Sequence, residues 1–285
     1  MTQIIPALSA LTGRYDAVFC DLWGCLHNGK TAFPAAVSAL QGFRAAGGKV
    51  ALVTNAPRPN ATVIAQLDRM GVPRDAWDVV VSSGDAAQSA MLAGAVGRKV
   101  FHIGAVKDED FFTDLPEGAI APERVGLLEA EGIVCTGLED DLTETPDDYR
   151  AQLLLGKTRG LTMLCANPDI VVDMGDKRVF CAGAIAGAYE DMGGSALYFG
   201  KPHPPIYDLA RRRLAMDDAR ILCVGDGIGT DIAGGMGEGL DTLFITGGLA
   251  AEAFGPDIAN PDSALLEAWL ADRQIYPTFS MGYLR

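Results

Sequence analysis

The sequence has little basic charge and no long apolar run. Its 23 Lys and Arg residues stand against 37 Asp and Glu residues, for a formal net charge of −14. Such a charge disfavours an extended surface for nucleic acid or for an anionic membrane. No apolar run approaches the length that crosses a bilayer, and the first stretch, MTQIIPALSALTGRYD, lacks the basic region of a signal peptide. We therefore expect neither a nucleic-acid nor a membrane partner.

Metal-binding sulfur and imidazole patterns are also missing. The six cysteines contain no CxxC pair, and four of them lie inside or beside apolar runs, where cysteine behaves as a small hydrophobic residue. This pattern predicts a reduced, cytoplasmic protein without structural zinc. The three histidines are dispersed and form no metal site. We expect a structural hydrogen bond for His27, a strand position in a second domain for His102, and a turn before a helix for His203.

Short apolar runs rich in β-branched residues recur along the 285-residue chain and alternate with helical patterns. This alternation indicates an α/β fold with a doubly wound, Rossmann-like parallel sheet covered on both faces. Helices are predicted over 34–48 and 204–214. The predicted strands are 17–21, 50–54, 79–83, 100–104, 161–166, 196–200, 221–226 and 242–246.

The middle of the chain is richer in acidic and loop-forming residues, although it keeps its own strand and helix signals. We interpret it as a second α/β domain, residues 84–184, inserted into a discontinuous first domain formed by residues 1–83 and 185–285. The C-terminal segment QIYPTFSMGYLR (274–285) carries apolar and aromatic side chains that need burial. It either completes the first sheet or contributes to a dimer contact.

Polar residues follow four of the predicted strands, at the edge where open α/β sheets bind their ligands. They are Asp21, the pair Thr54 and Asn55, Lys201, and the stretch GDGIGTD (225–231). Each has an ordinary structural explanation, such as a helix cap, a turn or a solvated side chain. Their combination is more specific than any one of them.

Together these residues contain the parts of a phosphoryl-transfer site. One carboxylate can attack phosphorus, and two more can hold Mg²⁺, which takes oxygen ligands. A hydroxyl group with backbone amides can bind phosphate oxygens, while an ammonium group neutralises charge in the transition state. Asp21, Asp226, Asp231, Thr54 and Lys201 supply these parts.

The glycine-rich stretch also has to be compared with a dinucleotide-binding motif. Gly225-x-Gly227-x-x-Thr230 lacks the third glycine and occurs late in the chain. Its two acidic residues would repel a pyrophosphate group unless a cation lay between them. We therefore reject a nicotinamide-binding function.

At this level of detail the chain resembles the haloacid dehalogenase superfamily, class IIA, which includes NagD-like and 4-nitrophenyl phosphatase-like hydrolases with a large α/β (C2-type) cap domain. The resemblance covers nearly the whole chain. It rests on CDLWGCLHNG (20–29), LVTNAPR (52–58), CANPD (165–169), FGKPHPPIY (199–207) and VGDGIGTDIAGG (224–235), which occur in the family's order.

The resemblance implies a role for each matching position. Asp21 matches the nucleophile, and Trp23 occupies the position whose backbone carbonyl binds Mg²⁺. Thr54 and Asn55 match the phosphate-binding second motif, Lys201 the third motif, and Asp226 and Asp231 the acidic fourth motif. The family usually has an aspartate at the Trp23 position, so the resemblance implies an atypical subgroup with DLWG in the first motif.

Trp23 changes the expected chemistry, because the usual aspartate protonates the leaving oxygen and later activates water. An indole N–H does neither. One hypothesis is a Mg²⁺-dependent phosphatase of a small phosphorylated metabolite that favours acyl and aryl phosphates over alkyl phosphates. The other is a non-catalytic or regulatory protein that binds a phosphorylated ligand. A carbon–halogen hydrolase ranks third, because that chemistry leaves Asp226 and Asp231 without a function.

Overall fold

The computed structural model describes residues 2–174 and 177–285. Its contacts divide the chain into two compact units. The first unit comprises Met1–Thr54, Ile64–Val81 and Tyr207–Arg285, and the second comprises Asn55–Val63 and Ser82–Ile206. Among the described residues, no helix is both long enough and apolar enough to cross a membrane.

The first unit is built around a seven-stranded sheet. Its strands are β1 (Gln3–Ile4), β2 (Ala17–Cys20), β3 (Lys49–Thr54), β4 (Val79–Ser82), β12 (Ile221–Gly225), β13 (Asp241–Ile245) and β14 (Phe279–Met281). Their order across the sheet is β1-β14-β13-β12-β2-β3-β4. β2 pairs in parallel with both β3 and β12, and β12 pairs in parallel with β13.

The central strands of this sheet are buried along their whole length. Every residue of β2 and β12 is buried, as the continuous apolar runs AVFC and ILCVG predict. The helices that include residues of this unit are α1 (Pro34–Ala45), α2 (Asn60–Arg69), α7 (Pro204–Leu214), α8 (Ala233–Gly237) and α9 (Ser263–Arg273). Pro34 begins α1, where the missing N–H of proline costs no hydrogen bond.

The order of the strands reverses next to β2. From β2 the chain continues to β3 on one side, whereas from β12 it continues to β13 on the other. The two connections diverge at the carboxyl ends of β2 and β12, which leaves a crevice there. This crevice is where the fold positions Asp21 and Asp226.

The second unit has its own five-stranded sheet. Its strands are β5 (Lys99–Ile103), β6 (Glu123–Arg124), β7 (Gly132–Cys135), β8 (Thr162–Cys165) and β11 (Ser195–Tyr198), in the order β11-β8-β7-β5-β6. All four strand pairs are parallel. A separate antiparallel pair is formed by β9 (Val171–Met174) and β10 (Lys177–Phe180).

Helices cover this sheet as well: α3 (Ser83–Leu92), α4 (Asp110–Thr113), α5 (Arg150–Thr158) and α6 (Ala182–Asp191). Helix α3 begins with a capping box, in which the Ser82 hydroxyl accepts from the Asp85 N–H and the Asp85 carboxylate accepts from the Ser82 N–H. Apolar side chains of β7, β8 and α6, among them Ile133, Met163 and Ile185, pack into one buried cluster.

The predicted α/β class with a parallel, Rossmann-like sheet is confirmed. All eight predicted strands exist with ends within two residues of the prediction, and the C-terminal segment contributes β14 to the first sheet. His102 lies in β5 and His203 directly precedes α7, as expected. All six cysteines are buried thiols.

Candidate functional site

Asp21 and Asp226 lie side by side because their strands are paired. Cys20 at the end of β2 is opposite Val224 of β12, and the Asp21 N–H donates to the Val224 carbonyl over 2.8 Å. Asp21 is one residue beyond β2 and Asp226 one residue beyond β12. Both side chains are buried, with 7% and 6% of their surface exposed.

The Cys25 sulfur completes a compact cluster with these two carboxylates. One ligand atom from each of Asp21, Cys25 and Asp226 lies within 4.8 Å of the others. Burial, followed by the charges of Asp226 and Asp21, raises the pKa of the Cys25 thiol well above its usual range, so the thiol stays protonated beside them. Two neighbouring carboxylates repel each other in a site that excludes water, and a divalent cation removes that repulsion. Their oxygen donors fit Mg²⁺.

The motif DLWG ends in Gly24, and the structure requires a glycine at this position. It has a positive φ of 73°, a conformation that glycine adopts without strain. A Cβ at this position would also overlap the Asp226 carboxylate. The loop after β2 can therefore pack directly against Asp226 only because residue 24 is glycine.

Trp23 is half-buried in the same loop and packs on its neighbours. Its ring meets the His27 ring edge-on, with the centroids 5.4 Å apart, and a Cβ at Gly29 would overlap the indole. His27 Nδ1 accepts a hydrogen bond from the Gly29 N–H over 3.0 Å. Burial lowers the pKa of His27 to about 4, so the imidazole is neutral at pH 7. The structural hydrogen bond predicted for His27 is confirmed.

The acidic loop after β12 holds its carboxylates with backbone donors. Asp226 Oδ2 accepts from the Leu249 N–H over 2.9 Å. Asp231 is buried and accepts from the Gly227 N–H over 3.2 Å, and residues Ile228–Ile232 form a single π-helical turn. Such turns are rare and occur often at functional sites. Asp231 is in the same loop as Asp226 but outside the 4.8 Å cluster.

Thr54 is the last residue of β3, the other neighbour of β2. Its side chain is buried, with 3% of its surface exposed. Its hydroxyl therefore ends a strand at the same edge of the sheet as Asp21. This is the geometry that the sequence predicts for a phosphate-binding hydroxyl group.

Asn55 and Lys201, in the second unit, are joined through two hydrogen bonds of the Asn55 amide, which makes a third to Asp169. Asn55 Oδ1 accepts from the Lys201 N–H over 2.7 Å, and Asn55 Nδ2 donates to the Lys201 carbonyl over 3.0 Å and to Asp169 Oδ1 over 2.8 Å. Lys201 and Asn55 are both 3% exposed. The side chain of Asn55 is thus occupied in positioning the backbone of Lys201.

Two members of these clusters were not singled out as site residues by the sequence. Cys25 is four residues after Asp21, but the sequence has no CxxC pair or other metal-ligand spacing that marks it. Asp169 lies in the motif CANPD, and its backbone N–H donates to Asn167 Oδ1 over 3.0 Å. Neither the contact between Asp169 and Asn55 nor the closeness of Cys25 to Asp226 can be derived without the fold.

Two buried carboxylates at the reversal point of a parallel sheet, beside a strand-terminal hydroxyl, form the arrangement with which α/β enzymes can bind a cation at this edge. Residues 18–115 match the haloacid dehalogenase-like hydrolase family, and residues 198–266 match a second family, described as HAD-hydrolase-like. A solved haloacid dehalogenase-like hydrolase from Brucella suis 1330 is 42% identical, with a TM-score of 0.85 over 99% of this chain and 100% of that chain. The chain belongs to the haloacid dehalogenase-like hydrolases.

Two further relatives are named phosphatases. Ribonucleotide monophosphatase NagD from Escherichia coli K12 is 27% identical over 244 residues, which cover 82% of this chain and 88% of the relative. A glycerol phosphate phosphatase from Mycobacterium tuberculosis, solved in complex with magnesium, is 23% identical with a TM-score of 0.68. The match covers 97% of this chain and 77% of the mycobacterial chain, and at this identity it shows the shared fold alone. The predicted class IIA relationship and the cap-containing fold are confirmed.

Proposed function

We propose that the protein is a Mg²⁺-dependent phosphatase of a small phosphorylated metabolite, with Asp21 as the nucleophile. The observation that carries the proposal is the buried pair of Asp21 and Asp226 at the carboxyl edge of a parallel sheet. A buried carboxylate pair without a cation is costly, and a carboxylate at this edge can reach a bound ligand. Membership of the hydrolase family and relatives named phosphatases support the same activity.

Asp21 would carry the covalent step. One of its carboxylate oxygens attacks phosphorus, and the bond from phosphorus to the leaving oxygen breaks, with the electron pair going to that oxygen. Water then attacks the aspartyl phosphate, which restores the Asp21 carboxylate and releases inorganic phosphate. The ammonium of Lys201, the hydroxyl of Thr54 and the backbone of Asn55 would stabilise charge on the phosphate oxygens.

Magnesium would be held by the carboxylates of Asp21 and Asp226, the backbone carbonyl of Trp23, and Asp231. When bound, the cation offsets the repulsion between the nucleophilic carboxylate and the phosphate group. The oxygen-rich donor set is the kind that Mg²⁺ prefers, and the sulfur of Cys25 is a poor ligand for so hard a cation. The magnesium complex of the mycobacterial relative is consistent with this choice of ion.

The substrate is restricted by Trp23, which has no acidic group to protonate the leaving oxygen. General acid–base help is worth roughly 10²–10⁴-fold in rate. Its loss matters most for alkyl phosphates, whose leaving alkoxides are strong bases. We therefore propose that acyl and aryl phosphates, whose leaving groups are stable anions, are the better substrates.

We propose that residues 84–184 form the inserted cap of a core built from residues 1–83 and 185–285, and that the cap selects the substrate. The buried thiols suit a reducing, cytoplasmic location. A homodimer stays a prediction; the exposed aromatic rings of Tyr276 and Tyr283 near the C-terminus are available for such a contact.

A leaving-group series tests this function. Steady-state phosphate release at fixed Mg²⁺ should be fastest for acetyl phosphate and 4-nitrophenyl phosphate and slowest for ethyl phosphate and sugar phosphates. The variant Trp23→Asp restores the acid and should raise the rate on alkyl phosphates by roughly 10–100-fold relative to aryl phosphates. Equal or faster release from simple sugar phosphates by the natural chain would contradict the proposed preference.

The second candidate is a protein that binds a phosphorylated ligand without turnover, and the indole at position 23 favours it. Its signature would be Mg²⁺-dependent ligand binding with no phosphate release. The wild-type chain and Asp21→Asn would then be indistinguishable in a sensitive release assay.

A further inference from the structure

The five-stranded sheet of the second unit has a reversal point of its own. From β5 the chain continues to β6 at one edge of the sheet, whereas from β7 it continues to β8 in the opposite direction. β5 and β7 are adjacent and parallel, with Ile103 opposite Cys135 at their carboxyl ends. Connections that diverge between adjacent parallel strands leave a crevice, and open α/β sheets bind ligands at such crevices.

A buried carboxyl group with an unused acceptor atom lies at this point. Asp108 ends the short 3-10 turn that follows β5, and 1% of its surface is exposed. Its Oδ1 atom has no hydrogen-bond partner within residues 2–174 and 177–285. A buried acceptor without a donor costs roughly 1–3 kcal/mol, and a bound molecule that supplies the donor removes this cost.

The groups around Asp108 are polar, but they leave Oδ1 unused. Thr136, directly after β7, hydrogen-bonds to the Asp108 carboxyl group, and Thr136 Oγ1 is 2.9 Å from His102 Nε2. The ammonium of Lys107 is paired with Asp141. Burial raises the pKa of Asp108, while the charges of Lys107 and Arg58 lower it.

Two glycines lie beside these polar groups, one closely packed and one facing free space. A Cβ at Gly104, directly after β5, would overlap Thr136 Oγ1. A Cβ at Gly137 would lie 3.8 Å from Asp108 Oδ2 and 4.0 Å from Asp141 Oδ1, with no other atom within 4 Å. Gly137 therefore faces free space beside the carboxyl group of Asp108.

We propose that this crevice, bounded by Asp108, Thr136 and Gly137, binds a hydroxyl group of an organic ligand, with Asp108 Oδ1 as its direct partner. A hydroxyl group both donates and accepts, so it pairs with Oδ1 whether or not the carboxyl group is ionised. The ligand class is a hydroxylated carbon compound, such as a polyol, a sugar or a sugar acid. That this compound is the organic part of a phosphorylated ligand rests on the proposed function, under which the favoured substrate would be a hydroxylated acyl phosphate; the existence of the crevice does not.

Binding measurements on a chain that does not turn over its ligand test the proposal. Dissociation constants are measured by calorimetry on full-length Asp21→Asn protein with Mg²⁺. The probes are glycerol 3-phosphate and ribose 5-phosphate, which carry hydroxyl groups, and ethyl phosphate and 4-nitrophenyl phosphate, which carry none. In this background at least one hydroxylated ester should bind more tightly than ethyl phosphate.

Two added substitutions then probe the crevice. Asp108→Leu removes the polar atoms at similar volume and should weaken binding of the hydroxylated ester about 10-fold or more, with less than about a twofold change for the esters without hydroxyl groups. Gly137→Ala fills the free space at an ordinary contact distance and should weaken the same ester with no change in melting temperature. Gly126→Ala, where a Cβ meets nothing within 4 Å, is the matched control and should change nothing.

The outcomes separate this proposal from the proposed function. If no hydroxylated ester binds better than ethyl phosphate, or if the substitutions affect all esters alike, the crevice does not bind hydroxyl groups. If Asp108→Leu does not fold, Gly137→Ala decides, because its added methyl group makes only an ordinary contact. Selective binding without any phosphate release by the wild-type chain would overturn the phosphatase proposal and leave this one standing.

Discussion

The two sheets of this protein have the same kind of reversal point but place different side chains there. In the seven-stranded sheet, Asp21 and Asp226 lie together after adjacent strands. In the five-stranded sheet, the Asp108 carboxyl group is hydrogen-bonded to the side chain of Thr136, and Lys107 and Arg58 supply positive charge nearby. Two like charges require a cation, whereas a carboxyl group beside a hydroxyl group can bind a neutral polar ligand. One topology therefore supports two kinds of site, and the side chains decide which.

Breaking the acidic pair should have the largest effect. Asp226→Asn removes one of two neighbouring carboxylates, so we expect the affinity for Mn²⁺ or Mg²⁺ and the rate of phosphate release each to fall roughly 100-fold or more. Calorimetric titration of the cation measures the first quantity. Asp272→Asn, at an aspartate with 79% of its side chain exposed, is the control. Unchanged cation affinity in Asp226→Asn would remove the basis for the metal site.

The close packing at the first reversal point can be tested at Gly24. Gly24→Ala adds a Cβ that overlaps the Asp226 carboxylate in a residue with positive φ, so the free energy of unfolding should fall by about 3–5 kcal/mol. Gly13→Ala is the matched control, because Gly13 has a φ of 78° and a Cβ there meets nothing within 4 Å. It should cost about 1–2 kcal/mol. Urea unfolding measures both, and equal losses would show that the overlap is relieved by movement of the loop.

The polar cluster of Asn55, Lys201 and Asp169 provides a test within the second unit. Asn55→Ala removes three hydrogen bonds and leaves the Lys201 N–H without its acceptor, so stability should fall by about 2–3 kcal/mol. Urea unfolding measures this loss, and Asn260→Ala, in an exposed loop of the first unit, is the control. If Asn55 positions Lys201, kcat for phosphate release falls more than KM rises. A change confined to KM would instead indicate direct contact between the Asn55 side chain and the substrate.

The smallest predicted effect concerns the second reversal point and its pH dependence. Burial lowers the pKa of His102 to about 4, below its ordinary value of 6.5. The unfolded chain therefore binds more protons than the folded chain between these values, and stability falls as the pH drops from 6.5 towards 4. This histidine should account for about 2 kcal/mol of the loss between pH 7 and pH 5.

The variant His102→Gln has no titrating ring at this position. The difference in unfolding free energy between the variant and the wild-type chain should therefore shrink by about 2 kcal/mol from pH 7 to pH 5. Urea unfolding at pH 7 and pH 5 measures it. A difference that does not depend on pH would show that His102 accepts a proton in the folded state.

Much of the fold and part of the site could be predicted from the sequence, because continuous apolar runs mark buried parallel strands. The runs AVFC and ILCVG gave the positions of β2 and β12, and hence the edge on which Asp21 and Asp226 lie. The strands β1, β6, β7, β9 and β10 were not predicted; β1 and β6 have only two residues each, too few to carry a periodicity. Residues brought together only by strand order, such as Asp108 and Thr136, have no local signal.

The same limit applies to details of the site. The spacing of DLWG shows that an acid is absent two residues after Asp21, but not that Gly24 lies against Asp226. Asn55 was predicted to bind phosphate, and only the fold reveals that its amide group is occupied by Lys201 and Asp169. Contacts between distant parts of the chain depend on the register of the sheet, which a single sequence does not specify.

The most direct test of the account compares phosphate release from 4-nitrophenyl phosphate by the wild-type chain and by Asp21→Asn, with Mg²⁺ and with a chelator. Since the covalent step would be lost with the nucleophile, we expect release by the wild-type chain only with Mg²⁺, and release by the variant to be slower by roughly 10³-fold or more. Equal release by the two proteins, or release that survives removal of the cation, would contradict the assignment of Asp21 as the nucleophile beside a bound metal ion.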